Sequence, residues 1–293
     1  MVSGVINIYK EAGFTSQDVV AAVKKIFGGV KAGHTGTLDP MARGALPVCL
    51  GKATKIADFL QAGDKAYEAT MRLGMTTDTE DTTGKILKQN DVVCEIGEIA
   101  DAANSFVGKY IQTPPMYSAV SVNGRRLYKL ARMGVEVERP AREVAINEIK
   151  IVSYDPPDVI LTVYCSKGTY IRTLIKDIGE RLGCGACMAS LVRTRTGTFS
   201  AGNAIKLREL RDSGDAAGYV IPVEDALPLR RFAAAPDADR RLLNGNSLPV
   251  EMIVDSTDLT ACENFFIYDS GGTLRGIYGL REDGRAAPVA MLI

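Results

Sequence analysis

Residues 33–44 read Gly33-His34-Thr35-Gly36-Thr37-Leu38-Asp39-Pro40-Met41-Ala42-Arg43-Gly44, and this stretch decides how the rest of the chain is read. It sets the only histidine of the chain and an aspartate in one glycine-rich segment. Gly33 and Gly36 permit close approach of backbone to a ligand. Pro40 restricts Asp39 to an extended conformation and stiffens the segment. An Asp-Pro turn beside a hydrogen-bonded histidine uses the same residues, so at this level a functional and a purely structural reading both stand.

Working outward, 31–44 reads as a loop held by tight turns, preceded by a strand at 5–9 and a helix from Thr15-Ser16 to Phe27 that Gly28-Gly29 stops. A buried strand at 46–50, a short helix at 53–60 and a strand at 67–73 follow. Residues 76–84 are polar and end in glycine, as a loop does. A helix is expected at 96–106, a loop at 112–124, a basic helix at 125–133, strands at 143–153 and 158–166, a helix around Ile171, Leu174, Ile175, Ile178 and Leu182, and a strand at 188–199. Strands and helices without regular alternation predict an α+β domain with a mixed sheet. Pro228, the alanines at 233–235 and Pro236 read as a linker over 226–240, and short strands at 250–254, 264–268, 273–279 and 287–293 predict a small β-rich terminal domain.

The bulk properties exclude several classes. A chain of 293 residues with 46% hydrophobic and 24% charged content fits one large globular domain, or a large one plus a small one. No run of about 18 apolar residues predicts a membrane helix, and the N-terminal segment lacks the pattern of a signal peptide, so a cytoplasmic location is expected. The six cysteines are scattered apart from Cys184-Gly185-Ala186-Cys187, and a zinc site there would need two further ligands. Gly51-Lys52 is followed by Ala53 and makes no phosphate loop. In 78–89 the glycine falls at the seventh position and Gln89 at the twelfth, which makes no calcium loop. No metal and no cofactor are expected.

Net charge is zero, with 35 basic and 35 acidic side chains, but it is unevenly spread. Residues 109–142 hold Lys109, Arg125, Arg126, Lys129, Arg132, Arg139 and Arg142 against Glu136 and Glu138. Residues 167–195 hold Lys167, Arg172, Lys176, Arg181, Arg193 and Arg195 against Asp177 and Glu180, whereas 251–283 hold seven acids and two bases. Two basic segments suit a grip on a polyanion, or two solvated helix faces.

The segment GHTGTLDPMARG closely resembles the active-site motif of the TruB family, the bacterial tRNA pseudouridine-55 synthases. The resemblance continues in order: GVINIYKEAGFTS at 4–16, Lys65-Ala66-Tyr67 and the block 73–84, TPPMYSAVSVNGRRLYKLAR at 113–132, CSKGTYIRTLIKDIG at 165–179 and LVRTRTG at 191–197. One departure is Glu11, which stands after Lys10 where the family usually has proline.

The resemblance implies a pseudouridine-synthase fold with a mixed, mainly antiparallel central sheet flanked by helices. It implies a catalytic domain over 1–226 with an RNA-binding insertion at about 109–142, and a small PUA-like domain over 227–293. The partner implied is the T arm of tRNA, with no membrane, no required protein partner and a monomeric chain. Asp39 is the implied catalytic carboxylate, by attack at C1′, attack at uracil C6, or removal of the C2′ proton. Arg172 would hold Asp39 ionised and aimed, or contact phosphate. Tyr67 would stack on the flipped uracil and take the C5 proton, or be a core tyrosine; Tyr170 and Leu191 would line the pocket, or equally be core residues. His34 would fill the space of the flipped base or hold the flipped nucleotide. Lys10, Lys65, Arg125, Arg126, Arg142 and Arg193 would complete substrate binding. An RNA-folding chaperone using the same grip, or a synthase for another RNA, are the alternatives.

Overall fold

The computed structural model describes residues 2–293. Strand β1 (Gly4–Lys10) leads to helix α1 (Ser16–Ile26). Thr15 Oγ1 accepts the Asp18 N–H at 3.1 Å while Asp18 Oδ2 accepts the Thr15 N–H at 2.8 Å, a reciprocal cap on the helix start. Val19, Val20 and Val23 form its buried stripe. Strands β2 (Ala32–His34) and β3 (Arg43–Leu50) pair antiparallel, with His34 opposite Val48. The segment 31–44 is therefore not loop throughout, as its spacing suggested. Ladder bonds to β3 claim 32–34, and β3 begins at Arg43.

Helix α2 (Ala57–Ala62) precedes β4 (Lys65–Leu73), in which Lys65, Tyr67, Ala69, Met71 and Leu73 face the interior. Strands β5 (Met75–Thr77) and β6 (Ile86–Gln89) make a hairpin, so part of the expected 76–84 loop is strand. Helix α3 (Ile96–Asn104) and strand β7 (Gly108–Gln112) follow. A small unit of β8 (Ser121–Val122), β9 (Arg125–Arg126) and α4 (Leu127–Arg132) precedes β10 (Arg142–Asp155). Arg142 pairs with Gln112 across the β7–β10 ladder, so this insertion leaves and re-enters the sheet at one point.

Then come β11 (Asp158–Cys165), α5 (Ile171–Leu182), β12 (Ala186–Thr196), β13 (Phe199–Ser200), β14 (Ile205–Lys206), α6 (Leu207–Asp212) and α7 (Val223–Ala226). The main sheet runs β14-β1-β3-β12-β4-β11-β10-β7, with β13 on β12 and β2 on β3. Within this sheet, among the described residues, the β1–β14 and β3–β12 pairings are parallel and the other strand pairings antiparallel. The fold is thus α+β with a mixed, mainly antiparallel sheet. Gly44 sits where β3 meets β12: its φ is +110°, and a Cβ there would lie 2.2 Å from the Arg193 carbonyl oxygen. Any other residue would push the two strands apart.

The C-terminal sheet holds β15 (Arg230–Ala234), β16 (Leu248–Pro249), β17 (Ile253–Val254), β18 (Asn264–Tyr268), β19 (Leu274–Leu280) and β20 (Arg285–Met291), with helix α8 (Asp239–Leu243) after β15. The linker reading of 226–240 is corrected by β15, which lies between β17 and β18. Phe232 and Ala234 point into the core and Arg231 and Ala233 outward, a period of two that the alanine-rich composition disguised. Val5, Ile56, Phe199 and Leu227 pack with Phe266, Ile277 and Leu292, so an apolar layer joins the two sheets.

Candidate active site

Asp39 lies between β2 and β3, in the part of the motif outside both strands. Ser16, the first residue of α1, fixes this part from behind: its hydroxyl accepts the Leu38 N–H at 2.8 Å and donates to the Leu38 carbonyl at 3.2 Å. The Asp39 side chain is 31% exposed and opens to solvent.

Arg172 comes from the first turn of α5 and is 3% exposed. Its Nη2 donates to Asp39 Oδ1 at 3.1 Å, and its Nε sits 2.8 Å from Oδ2 in ion-pair contact, without the alignment of a hydrogen bond. Nη1 donates to the Thr79 carbonyl at 2.9 Å and Nη2 also to the Tyr117 carbonyl at 2.8 Å. One guanidinium thereby ties the motif, the β5–β6 connection and the insertion to the same helix.

Residues that the sequence reading passed over build the support for Arg172. Asp81 is buried; its Oδ1 accepts Thr79 Oγ1 at 2.8 Å, the Thr83 N–H at 2.9 Å and Thr83 Oγ1 at 2.6 Å, and its Oδ2 lies 4.0 Å from Arg172. Glu80 adopts φ +63° and accepts the Thr173 hydroxyl at 2.7 Å, which pins the connection to α5; burial raises its carboxyl above the ordinary range. Gln112 is fully buried and brackets Tyr170, donating to its carbonyl at 2.9 Å and accepting its N–H at 2.8 Å. The signals for Glu80 and Asp81 are the polar, threonine-rich run 76–84 and the family resemblance of the block 73–84, neither of which assigns them a role; nothing in sequence singles out Gln112.

Tyr67 stands on β4 opposite Arg193 on β12. Its phenol is held above the usual range by burial, against which Arg193 works; the Asp39 charge also reaches it. Leu191 is buried opposite Ala69, in the main core. Tyr170 precedes α5, and the Arg142 guanidinium lies 4.8 Å from its ring centre. Arg142 also donates to the Gly168 carbonyl. His34 is half-buried, and its Nδ1 accepts the Gly36 N–H at 3.3 Å. Burial first and Arg193 second lower its pKa, so the ring is neutral at pH 7.

Three basic side chains expected to take part in substrate binding lie in the interior. Arg193 is 2% exposed and gives Nε to the Ala45 carbonyl at 2.8 Å and Nη2 to the Gly36 carbonyl at 3.2 Å. Lys10 is fully buried; its Nζ donates to the Pro40 and Ala42 carbonyls at 3.1 and 2.6 Å. Lys65 is buried, with Nζ on the Gln61 and Gly63 carbonyls. Burial presses the two ammoniums down to about 8. Each spends its donors on backbone that shapes the site, and none presents a surface to phosphate. Arg125, Arg126, Lys129 and Arg132 of the insertion are exposed.

The Cys184-x-x-Cys187 thiols are buried, and burial lifts Cys187 to about 11. No cluster of metal-ligating side chains occurs among the described residues, and no helix is long and apolar enough to cross a membrane.

Comparison with known proteins gives concordant matches. The N-terminal domain of the TruB family of pseudouridylate synthases matches residues 24–171, and the C-terminal domain of tRNA pseudouridylate synthase B matches 172–233. The chain is 47% identical over 255 residues to a tRNA pseudouridine synthase B of Alkaliphilus oremlandii, covering 87% of this chain and 85% of that one. It is 44% identical over 282 residues to the protein of that name from Clostridium acetobutylicum, covering 96% of each. Among solved structures it resembles a Cbf5-Nop10-Gar1 complex with a TM-score of 0.75 at 28% identity, over 99% of this chain and 85% of that chain. It also resembles an H/ACA RNP bound to a substrate RNA containing 2′-deoxyuridine, with a TM-score of 0.71 at 28% identity, over 98% and 83% of the two chains.

Proposed function

Since this chain belongs to the TruB family and is a pseudouridine synthase acting on tRNA, we propose that it isomerises the uridine at position 55 of the T loop with Asp39 as the catalytic carboxylate. The observation that carries this reading is the two-point contact between buried Arg172 and solvent-facing Asp39. A fixed guanidinium orients the carboxylate in a site open to a ligand.

The reaction breaks N1–C1′ and forms C5–C1′; the C5 proton leaves and N1 gains one. Asp39 serves as nucleophile at C1′ or C6, or as base at C2′. Tyr67 enters as a neutral phenol suited to stacking on the uracil; to take the C5 proton its oxygen must first give up its own proton to solvent, and the Arg193 charge beside it favours the resulting phenolate against the burial that opposes it. The target nucleotide must leave its stack, at a cost of about a few kcal/mol. Neutral His34 is suited to the vacated space, and the exposed bases of the insertion to backbone phosphates. In this scheme residues 1–226 are the catalytic unit and 227–293 a PUA-like unit.

Carbodiimide mapping of tRNA treated with the protein should show one new pseudouridine, at position 55. Tritium release from C5-labelled tRNA should follow it and vanish in Asp39→Asn. Normal turnover by that variant would remove Asp39 from the role.

The exposed cations of the insertion also favour a second reading, assistance to tRNA folding. Refolding help that persists in Asp39→Asn separates this role from catalysis; equal refolding with and without protein dismisses it.

A further inference from the structure

We propose that a lysine-lined cleft at the far end of β2 is a second phosphate-backbone site for the substrate RNA. The inference rests on the tRNA reading above and extends the grip beyond the insertion. The cleft has a volume of about 600 Å³ and is lined by Lys31, Lys52 and Lys55, with Gly28 and Gly29 at one side and Ile293 at another. All three lysines are exposed. Among the described residues the lysines that form ion pairs are Lys109, Lys150 and Lys176, so these three ammoniums are uncommitted. No aspartate or glutamate side chain lines the cleft. The charged side chains that line the cleft are thus all of one sign, in a chain of zero net charge.

The backbone holds the charges together. The Gly51 N–H donates to the Lys31 carbonyl at 2.8 Å, which sets Lys31 beside the turn carrying Lys52 and Lys55. Gly28 and Gly29 have φ of +67° and +88°, and a Cβ at either would meet nothing within 4 Å. That side of the cleft is open and offers no steric barrier to a strand. Strand β2 runs from Ala32 to His34, so Lys31 lies three residues from His34, roughly 10 Å along an extended chain. The cleft and the site thus lie at the two ends of one short strand, close enough for the backbone flanking a nucleotide at His34 to span the distance. Separate, exposed ammoniums suit successive phosphates and carry no base specificity.

The test compares wild type with Lys31→Ala/Lys52→Ala/Lys55→Ala and with the charge-preserving Lys31→Arg/Lys52→Arg/Lys55→Arg, using full-length tRNA. Each phosphate contact contributes about 0.9 to the slope of log affinity against log salt. The alanine variant should therefore bind with a slope shallower by roughly 2–3. It should also show KM raised about tenfold with kcat retained, as expected for loss of uniform binding. The arginine variant should behave as wild type. An alanine variant with unchanged slope and KM overturns the proposal. The slope is measured without chemistry, so a wild-type protein that binds tRNA but makes no pseudouridine would count against the catalytic reading and leave the cleft standing.

Discussion

Arg172 and Asp39, 133 residues apart in sequence, meet through Nη2–Oδ1 at 3.1 Å and Nε–Oδ2 at 2.8 Å. The arginine is almost wholly enclosed and the aspartate is not. The pair therefore has an enclosed partner and a solvent-facing one, and the same Arg172 also holds the carbonyls of Thr79 and Tyr117.

Asp39→Asn should abolish turnover by at least about 10⁴-fold, the scale expected when a covalent or acid–base group is lost. It should also cost about 1–2 kcal/mol of stability, less than the ~3–5 of a fully buried pair. Asp39 is partly solvated and Arg172 keeps two carbonyl partners. Single-turnover kinetics and thermal melting check the two halves separately; retained turnover would remove Asp39 from catalysis.

Tyr67→Phe keeps the ring that packs in the main core and removes only the hydroxyl. Turnover should fall about 10²-fold, as for loss of a proton-transfer group, with tRNA affinity unchanged. A loss confined to affinity would assign the hydroxyl to binding.

Arg193→Met should destabilise the fold by about 2–4 kcal/mol, because the Ala45 and Gly36 carbonyls lose their buried donor. The salt dependence of tRNA binding should not change. Arg125→Ala/Arg126→Ala should do the reverse, leaving the melting temperature alone and making the salt slope shallower by about 1–2. A shallower slope in Arg193→Met would restore that residue to phosphate contact.

Lys10 and Lys65 have folded-state pKa values near 8 against an ordinary 10.5. Between those values the unfolded chain binds more protons than the folded one, so their contribution to stability rises with pH across that window. Below about pH 8 both states carry the charge and the burial cost is paid in full. Lys65→Met should flatten the rise in chemical-denaturation stability from pH 8 to 9.5. An unaltered pH profile would mean that Lys65 keeps its proton throughout.

Short-range signals carried much of this molecule. The Thr15-Ser16 start, the valines of α1 and the apolar spacing of α5 announce those helices because their period and end chemistry are local. Motif order was likewise readable and named the family later matched over 24–233. Strand β15 was misread as linker, since alanines and flanking prolines look alike in both settings until Phe232 and Ala234 find a core.

Sequence alone determined the family, the α+β class and the loop that carries Asp39, because these depend on residue order and spacing. Tertiary structure decided which basic residues are solvent-facing and which are internal: Arg125 and Arg126 reach water, while Arg193, Lys10 and Lys65 turn inward to backbone carbonyls. A charged side chain reads the same in either place. Its burial is set by strands distant in sequence, as β3 and β12 are where they enclose Arg193.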